Sequence, residues 1–220
     1  MIVQIYEIQD AIEAREVCAA GVDHIGILVG DGLFPREISV NNARNIRNAV
    51  VAPAKTSVLT LSPDVIAIEQ IARALNPEIL HLGSLLHEIG ISEIRELRKK
   101  FPRMQIMRSI PVLGQESVEA ADQFASVCDF LLLDTYKDKD TQIGATGLTH
   151  DWTISRTIVD RVRIPVILAG GLGAENVREA IQAVNPAGVD SKTLTDRQGT
   201  HRKDLEHVRR FVQIAKGLTC

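Results

Sequence analysis

Short runs of aliphatic and β-branched residues alternate with longer stretches in which apolar residues recur every three or four positions. The short runs predict buried strands, and the longer stretches predict amphipathic helices. Eight strand–helix pairs follow one another in the 220 residues. The predicted strands are Met1–Tyr6, His24–Val29, Lys55–Leu61, Ile79–Leu82, Gln105–Ile110, Phe130–Asp134, Val166–Ala169 and Gly188–Asp190. The predicted helices are Asp10–Ala20, Asn41–Val50, Pro63–Leu75, Ser92–Lys100, Glu116–Ala125, Thr153–Val162, Ala174–Val184 and Lys203–Lys216.

Eight consecutive βα units favour an α/β fold of the closed (β/α)8 TIM-barrel type. Such barrels typically have about 250 residues and can be as short as about 200. A doubly wound open sheet is the alternative, because periodicity does not reveal closure. No Ser/Gly-rich linker, charge run or low-complexity stretch interrupts the chain. We therefore predict one barrel domain over residues 1–220.

Composition excludes several classes of partner. The 25 basic and 28 acidic residues give a net charge of −3, so no basic field favours nucleic acid or anionic lipid. The longest apolar runs are too short to span a bilayer, and the polar N-terminal residues do not form a signal peptide. Cys18, Cys128 and Cys220 are too far apart to suggest a disulfide framework or a zinc site. These features predict a cytoplasmic protein with no membrane or nucleic-acid partner.

Two long connections mark the candidate site. They follow the second and sixth predicted strands, and the active site of a barrel lies where such βα loops meet. Asp134 ends a run of leucines at this face. Partial burial there raises the pKa of a carboxyl group and favours a general acid. The alternative is that Asp134 caps a turn.

The connection after the seventh strand predicts an anion site. Gly170 and Gly171 allow close backbone approach, and the helix that follows presents free N–H groups. Phosphate sites in barrels frequently use the loops after strands 7 and 8, and the eighth strand is followed by Ser191, Lys192 and Thr193. An ordinary tight turn and a solvated lysine are the alternatives.

Three further side chains lie near the predicted strand ends. Arg36, in the loop after the second strand, has the geometry to hold a carboxylate with two donors, or it is a surface arginine. Tyr6 and Glu7 end the first strand and face opposite ways because side chains alternate. The six histidines show no spacing typical of a metal site, so we predict no metal and no cofactor.

These segments resemble the phosphoribosylanthranilate isomerase family of tryptophan biosynthesis over essentially the whole chain. The segment Leu131–Thr135 is similar to the family's sixth strand, which ends on Asp, and Gly144–Trp152 is similar to its GGTGxxFDW motif. Leu168–Val177 resembles the family's LAGGLxxENV phosphate loop, and Asn185–Asp190 resembles the start of RPxGVDVSSG. In the first half, Phe34-Pro-Arg36 is similar to SPR. The four motifs of the second half, in order and at matching strand positions, are together specific.

The resemblance implies an aldose–ketose isomerase that carries out an Amadori rearrangement of a phosphorylated aminoribose. A general acid protonates the ring oxygen as the ring opens to a Schiff base, and a general base removes the C2 proton. The resemblance makes the partner a phosphorylated sugar and the chain a monomer or homodimer. The implied roles are acid for Asp134, anthranilate carboxylate binding for Arg36, phosphate binding for Gly170, Gly171, Ser191, Lys192 and Thr193, and a contribution from the Thr146–Gly147 loop.

The chain departs from the family on its first strand. The family reads KICG, with Cys as the base, whereas this chain reads Gln4-Ile-Tyr-Glu7. Tyr6 therefore falls on the base position, where a phenol titrating near ~10 is a poor base. Glu7, if it faces the cavity, is the predicted replacement base, which resembles the carboxylate of the related histidine-pathway isomerase. After the eighth strand Lys192-Thr193-Leu194 replaces Ser-Ser-Gly.

Two alternatives to this isomerase remain. One is a diverged phosphate-binding barrel with a different substrate or no catalysis, in which a phosphosugar binds near Gly171 and Lys192 without rearranging. The other is a different phosphosugar barrel such as an epimerase, which usually recruits metal ligands that this sequence does not offer.

Overall fold

The computed structural model describes residues 1–135 and 149–218 and closes eight parallel strands into a barrel. The strands are β1 Ile2–Ile5, β2 His24–Leu28, β3 Lys55–Thr60, β4 Ile79–Leu82, β5 Gln105–Pro111, β6 Phe130–Asp134, β7 Val166–Leu168 and β8 Gly188–Ser191. The helices are α1 Ala11–Ala19, α2 Val40–Ala49, α3 Val65–Leu75, α4 Ile91–Lys100, α5 Gln115–Ala125, α6 Trp152–Arg161, α7 Val177–Val184 and α8 Leu205–Lys216. The predicted TIM barrel is confirmed.

Closure is visible in the pairing of the first and last strands. Every strand pairs in parallel with the next one along the chain, and β1 also pairs with β8, with Gln4 opposite Asp190. On its other side Gln4 lies opposite His24 of β2. The open doubly wound sheet is therefore wrong, since such a sheet leaves its first and last strands unpaired with each other.

Four helices, α1, α3, α7 and α8, begin one to three residues later than the periodicity predicts, and the contacts at α7 and α8 illustrate why. The helix expected from Ala174 begins at Val177, because Asn176 folds the preceding loop by accepting from the Gly173 N–H and donating to the Gly171 carbonyl. The helix expected from Lys203 begins at Leu205, with the Asp204 carboxylate accepting from the first-turn N–H groups. Local capping contacts, which apolar spacing does not report, set both starts. A short 3₁₀ turn at Thr193–Thr195 precedes α8.

The apolar core has two parts. The larger lies between the outer faces of the strands and the helices, as the layered barrel requires. The smaller fills the barrel and consists of Tyr6, Ile79, Met107, Phe130, Leu132, Ile167 and Ala169. No helix in the described part of the chain is long and apolar enough to cross a membrane.

Candidate active site

A cavity opens at the carboxyl end of the strands, where the site was expected. Four predicted site residues line it, namely Tyr6, Glu7, Asp134 and Lys192. Its other lining residues are Leu28, Leu59, Leu61, His81, Ser109, Leu132 and Asp190. Thr146 and Gly147 lie outside the described residues. Every strand except β7 supplies lining residues near or just beyond its end, so closure of the sheet creates the cavity.

Asp134, the last residue of β6, has the properties expected of a general acid. Burial raises the pKa of its carboxyl to about 7, although Oδ1 accepts a 2.7 Å hydrogen bond from the Thr135 N–H, which lowers it. The backbone of Gly170, at φ +84°, passes beside the carboxyl, and a Cβ built there would lie 3.3 Å from Oδ1. A carboxyl with a pKa near 7 exchanges protons readily at neutral pH.

Asp190 of β8 is a second buried carboxyl in the same cavity. Burial raises its pKa to about 8, and the negative charge of Asp134 adds to the effect. The Gln4 amide donates to Asp190 Oδ1 at 3.1 Å, and its own oxygen lies 3.1 Å from His24 Nδ1. Burial lowers the pKa of His24 to about 4, so the imidazole is neutral and Nδ1 carries the proton that Gln4 accepts.

Tyr6 points into the barrel and is held by hydrogen bonds on both sides of its hydroxyl. Tyr6 Oη lies 2.8 Å from Ser57 Oγ and 2.6 Å from His81 Nδ1, and His81 Nε2 lies 2.7 Å from Ser109 Oγ. Burial raises the pKa of Tyr6 well above its usual value near 10. The phenol therefore stays protonated at neutral pH, and it serves as part of a hydrogen-bonded chain inside the barrel.

Gly26 of β2 makes room for the Tyr6 ring. A Cβ on Gly26 would lie 2.3 Å from the ring, and glycine is the only residue without one. Gly26→Ala is therefore expected to displace Tyr6 and to lower the free energy of unfolding by about 1–3 kcal/mol, the usual range for overpacking. Urea denaturation measures this change. In a Tyr6→Cys background the same alanine is expected to cost far less, and an equal cost in both backgrounds would contradict the contact.

Glu7, which lines the cavity, forms an ion pair with Arg36, which is not among the lining residues. Arg36 Nη2 donates to Glu7 Oε1 at 3.0 Å, and Arg36 Nε pairs with Oε2. Both residues have positive φ, 64° for Glu7 and 70° for Arg36, which disfavours any residue with a side chain. Glu7 stands where the family pattern has Gly, so the backbone conformation that suits glycine is retained. The predicted carboxylate-binding arginine thus already holds a carboxylate of its own chain.

Lys192 extends the Glu7–Arg36 ion pair into a larger network of charged groups. Its ammonium lies 3.4 Å from Glu7 Oε2 and 3.3 Å from Asp196 Oδ2. Lys203, whose side chain is fully buried, lies 2.5 Å from Asp196 Oδ1 and donates to the Lys192 carbonyl at 3.1 Å. The network thus contains three cations, Arg36, Lys192 and Lys203. It also contains two carboxylates, Glu7 and Asp196. These five groups therefore carry one excess positive charge among themselves, beside the Asp134 and Asp190 carboxyls that line the same cavity.

The predicted phosphate residues lie on neighbouring loops after β7 and at the end of β8. Gly170 and Gly171 both have positive φ, 84° and 61°, so the turn after β7 depends on them. Ser191 Oγ donates to the Leu172 carbonyl at 2.6 Å and ties β8 to that turn. Thr193 begins the 3₁₀ turn beside Lys192. The Ser191 hydroxyl is thus engaged within the protein.

The residues that sequence reasoning missed are those whose partners come from distant strands. Asp190 was visible as the end of the eighth strand, but nothing indicated that Gln4 would hold it. His81 and Lys203 gave no signal, since an isolated His or Lys is usually solvated. In the described ranges 1–135 and 149–218 no group of three or more His, Cys, Asp or Glu side chains is arranged to hold a metal ion.

Comparison with known proteins agrees with the geometry. The family model described as N-(5'phosphoribosyl)anthranilate (PRA) isomerase matches residues 3–214. N-(5'-phosphoribosyl)anthranilate isomerase 2 of Methanosarcina mazei is 43% identical over 147 residues, which cover 61% of this chain and 64% of that protein. The N-(5'-phosphoribosyl)anthranilate isomerase of Methanocella arvoryzae is 34% identical over 203 residues, which cover 91% of each chain.

A solved structure shares the fold along its whole length. It is a phosphoribosyl anthranilate isomerase in complex with reduced 1-(o-carboxyphenylamino)-1-deoxyribulose 5-phosphate. The TM-score is 0.79 at 24% identity, with 99% of this chain and 100% of that one covered. Since the family model spans nearly all of the sequence, the chain belongs to the phosphoribosylanthranilate isomerase family.

Proposed function

We propose that this protein catalyses the Amadori rearrangement of N-(5'-phosphoribosyl)anthranilate by general acid–base catalysis. One observation carries the proposal: Asp134 ends β6 at the cavity with its pKa raised by burial to about 7. A carboxyl that is neutral in part of the molecules at pH 7 can give a proton to a weakly basic ether oxygen, which an ordinary ionised aspartate cannot.

In the first step the Asp134 proton passes to the ring oxygen of the sugar. The C1–O bond breaks, and the nitrogen lone pair forms a C1=N bond, which gives an open-chain protonated Schiff base. A base then takes the proton on C2, whose C–H electrons form C1=C2 while the C1=N electrons return to nitrogen. The enolamine becomes the ketone as its C2 hydroxyl loses a proton and C1 gains one. No oxidant or cofactor enters this balance.

The charged groups at the cavity fit both ends of such a substrate. Glu7 occupies the Nε and Nη2 edge of Arg36, and the fork of an arginine has a further edge, formed by Nη1 and Nη2, for the anthranilate carboxylate. The phosphate is placed by the turn at Gly170 and Gly171 and by the Ser191–Thr193 segment, with Lys192 as the cation. Arg36 and Lys192 thus supply one cation for each anionic group of the substrate.

The sequence predicts that Glu7 is the base that removes the C2 proton. Its carboxylate lines the cavity, but two cations hold it, so removal of a C–H proton requires it to leave Arg36 or Lys192. Tyr6 is unsuited to the role because its phenol stays protonated. Of the cysteines in the described ranges, Cys128 is buried and burial raises its pKa to about 12, and neither it nor Cys18 lines the cavity.

The test is direct turnover. Purified protein is mixed with phosphoribosylanthranilate, and loss of the substrate's fluorescence is followed at pH 7.5. We expect turnover that saturates with substrate and is competitively inhibited by the reduced product analogue. A folded protein that gives no rate above the spontaneous reaction would refute the proposal. Binding of inorganic phosphate, seen as a thermal shift without turnover, would instead support the diverged phosphate-binding barrel.

A further inference from the structure

The cavity lacks the thiol that the family places on the first strand, and the two residues at the end of that strand are engaged elsewhere. Tyr6 Oη is shared between Ser57 and His81, and the Glu7 carboxylate is held by Arg36 and Lys192. Rearrangement at two adjacent carbons nevertheless needs one group that gives a proton and one that takes it. Asp134 supplies one of them, so the second remains to be found among the other groups that line the cavity.

Asp190 is the remaining carboxyl of the cavity, and its surroundings differ from those of Glu7. It lies on β8, only 7% exposed, and the only hydrogen bond to it among the described residues comes from the neutral Gln4 amide at 3.1 Å. That bond fixes Oδ1, so the orientation of the carboxyl toward the cavity is set by β1 and β8 together. No cation lies within ion-pair distance of it in the described part of the chain.

We propose that Asp190 forms with Asp134 the proton-transferring pair of this site and takes over the work of the missing strand-1 thiol. This inference rests on the proposed function. Asp190 and Asp134 line one cavity, where two ionised carboxylates repel each other, so the pair favours the state that carries one proton. In that state one member gives its proton to the ring oxygen and the other accepts the C2 proton. The pair therefore holds one proton before and after the chemistry.

The other groups around Asp190 support this state. Burial and the negative charges of Asp134 and Glu7 raise its pKa, and the Gln4 amide and Lys203 oppose the shift. Lys192 lines the same cavity but pairs with Glu7 and Asp196. Tyr6 is neutral, and the charge on Asp190 raises its pKa further.

The position of Gln4 adds a sequence argument. The family pattern has Lys where this chain has Gln4, and in this barrel that side chain reaches Asp190. An ammonium at this position would hold the Asp190 carboxylate ionised, whereas a neutral amide leaves it free to take a proton. The change from Lys to Gln at position 4 is therefore consistent with the change from Cys to Tyr at position 6. The first strand loses its thiol, and the Asp190 carboxyl beside it becomes able to exchange protons.

The experiment compares Asp190→Asn with Glu7→Gln. Asparagine can still accept from Gln4, so the fold is expected to survive, and kcat is expected to fall roughly 10²-fold, within the usual effect of one acid or base. Glu7→Gln is expected to change KM more than kcat, because it alters the pairing of Arg36 and Lys192. Asp23→Asn, which removes a carboxylate at the opposite end of the barrel, is the matched control and is expected to leave kcat unchanged. A kcat that falls for Glu7→Gln and stays within about threefold for Asp190→Asn would overturn the proposal.

The pH profile distinguishes chemistry from structure. For the wild type, the dependence of kcat on pH is expected to be bell-shaped. Its two limbs are set by loss of the first and the second proton of the pair, near pH 7 and 8. Gln4→Lys is expected to move the acid limb to lower pH, since the new cation favours ionisation of the pair. An unmoved profile would indicate that Asp190 has only a structural role.

A readout without substrate separates this inference from the proposed function. In protein labelled with ¹³C at the aspartate carboxyls, two resonances are expected to titrate above pH 6 in the wild type and one in Asp190→Asn. Absence of turnover in the wild type would refute the isomerase activity, while those two titrations would still establish the pair. A wild type with at most one such titration would refute the pair.

Discussion

Asp134→Asn is expected to lower kcat for phosphoribosylanthranilate by about 10²–10⁴-fold, the usual contribution of a positioned acid. The amide fits the space of the carboxyl and can accept the Thr135 N–H, but it has no proton to give to the ring oxygen. KM is expected to change little, because Asp134 is assigned to proton transfer and the anionic ends of the substrate are held elsewhere. Fluorescence-monitored turnover over a range of substrate concentrations separates the two constants.

The stability of the same variant provides the control. Burial raises the pKa of Asp134 to about 7 in the folded protein, above its usual value in an unfolded chain. A carboxyl shifted in this direction contributes its full stability only below the unfolded pKa, and that contribution is lost as the pH rises toward 7. Asparagine stays neutral, so the variant is expected to be at least as stable as the wild type at pH 8. A variant that loses both activity and stability would instead assign Asp134 a structural role.

Lys203→Met is expected to lower the free energy of unfolding by about 3 kcal/mol, near the lower end of the range for breaking a buried ion pair. The Lys203 ammonium is fully buried, 2.5 Å from Asp196 and within hydrogen-bond distance of the Lys192 carbonyl. Methionine fills most of the volume, but among the described residues it leaves Asp196 with Lys192, 3.3 Å away, as its one ion-pair partner. Urea denaturation with a common m-value measures the difference.

Lys216→Met is the matched control for this prediction. Lys216 pairs with Asp23 at 2.9 Å, but both side chains remain partly exposed. Pairs of this kind contribute about 1 kcal/mol or less. Equal losses for the two lysines would contradict the view that burial makes the Lys203 pair important, and a repeat at high salt is expected to reduce only the Lys216 effect.

The order of the strands and helices was predictable because it follows from alternating apolar periods, which each segment carries locally. All eight pairs are present, and the predicted ranges of β4 and β6 agree with the structure. Ends set by tertiary contacts were not predictable. The periodicity predicts Lys203 within the last helix, but it lies before α8, which begins after the Asp204 cap, and its side chain pairs with Asp196.

The sequence predicted a site residue only where that residue lies at the end of a predicted strand. Asp134 follows a run of leucines, and the cavity does form around it. The pairing of Glu7 with Arg36 was not predictable, since 29 residues separate them and each was assigned a separate role. The contact between Gln4 and Asp190 spans 186 residues and exists only because the first strand pairs with the last.

Three features of the sequence thus predicted the barrel, the family and the end of the barrel where chemistry takes place. They are the apolar periodicity, the number of strands, and the strand ends that carry glycine and aspartate. These properties reside in neighbouring residues, so no knowledge of the closed sheet was needed. The protonation states and partners of the polar groups depend on closure, which brings β1 beside β8, buries Asp190 and Tyr6 and partly buries Asp134. Burial and charge proximity act through space: they raise the pKa of Tyr6, which keeps its phenol protonated, and they raise the pKa of Asp134 to about 7 and that of Asp190 to about 8.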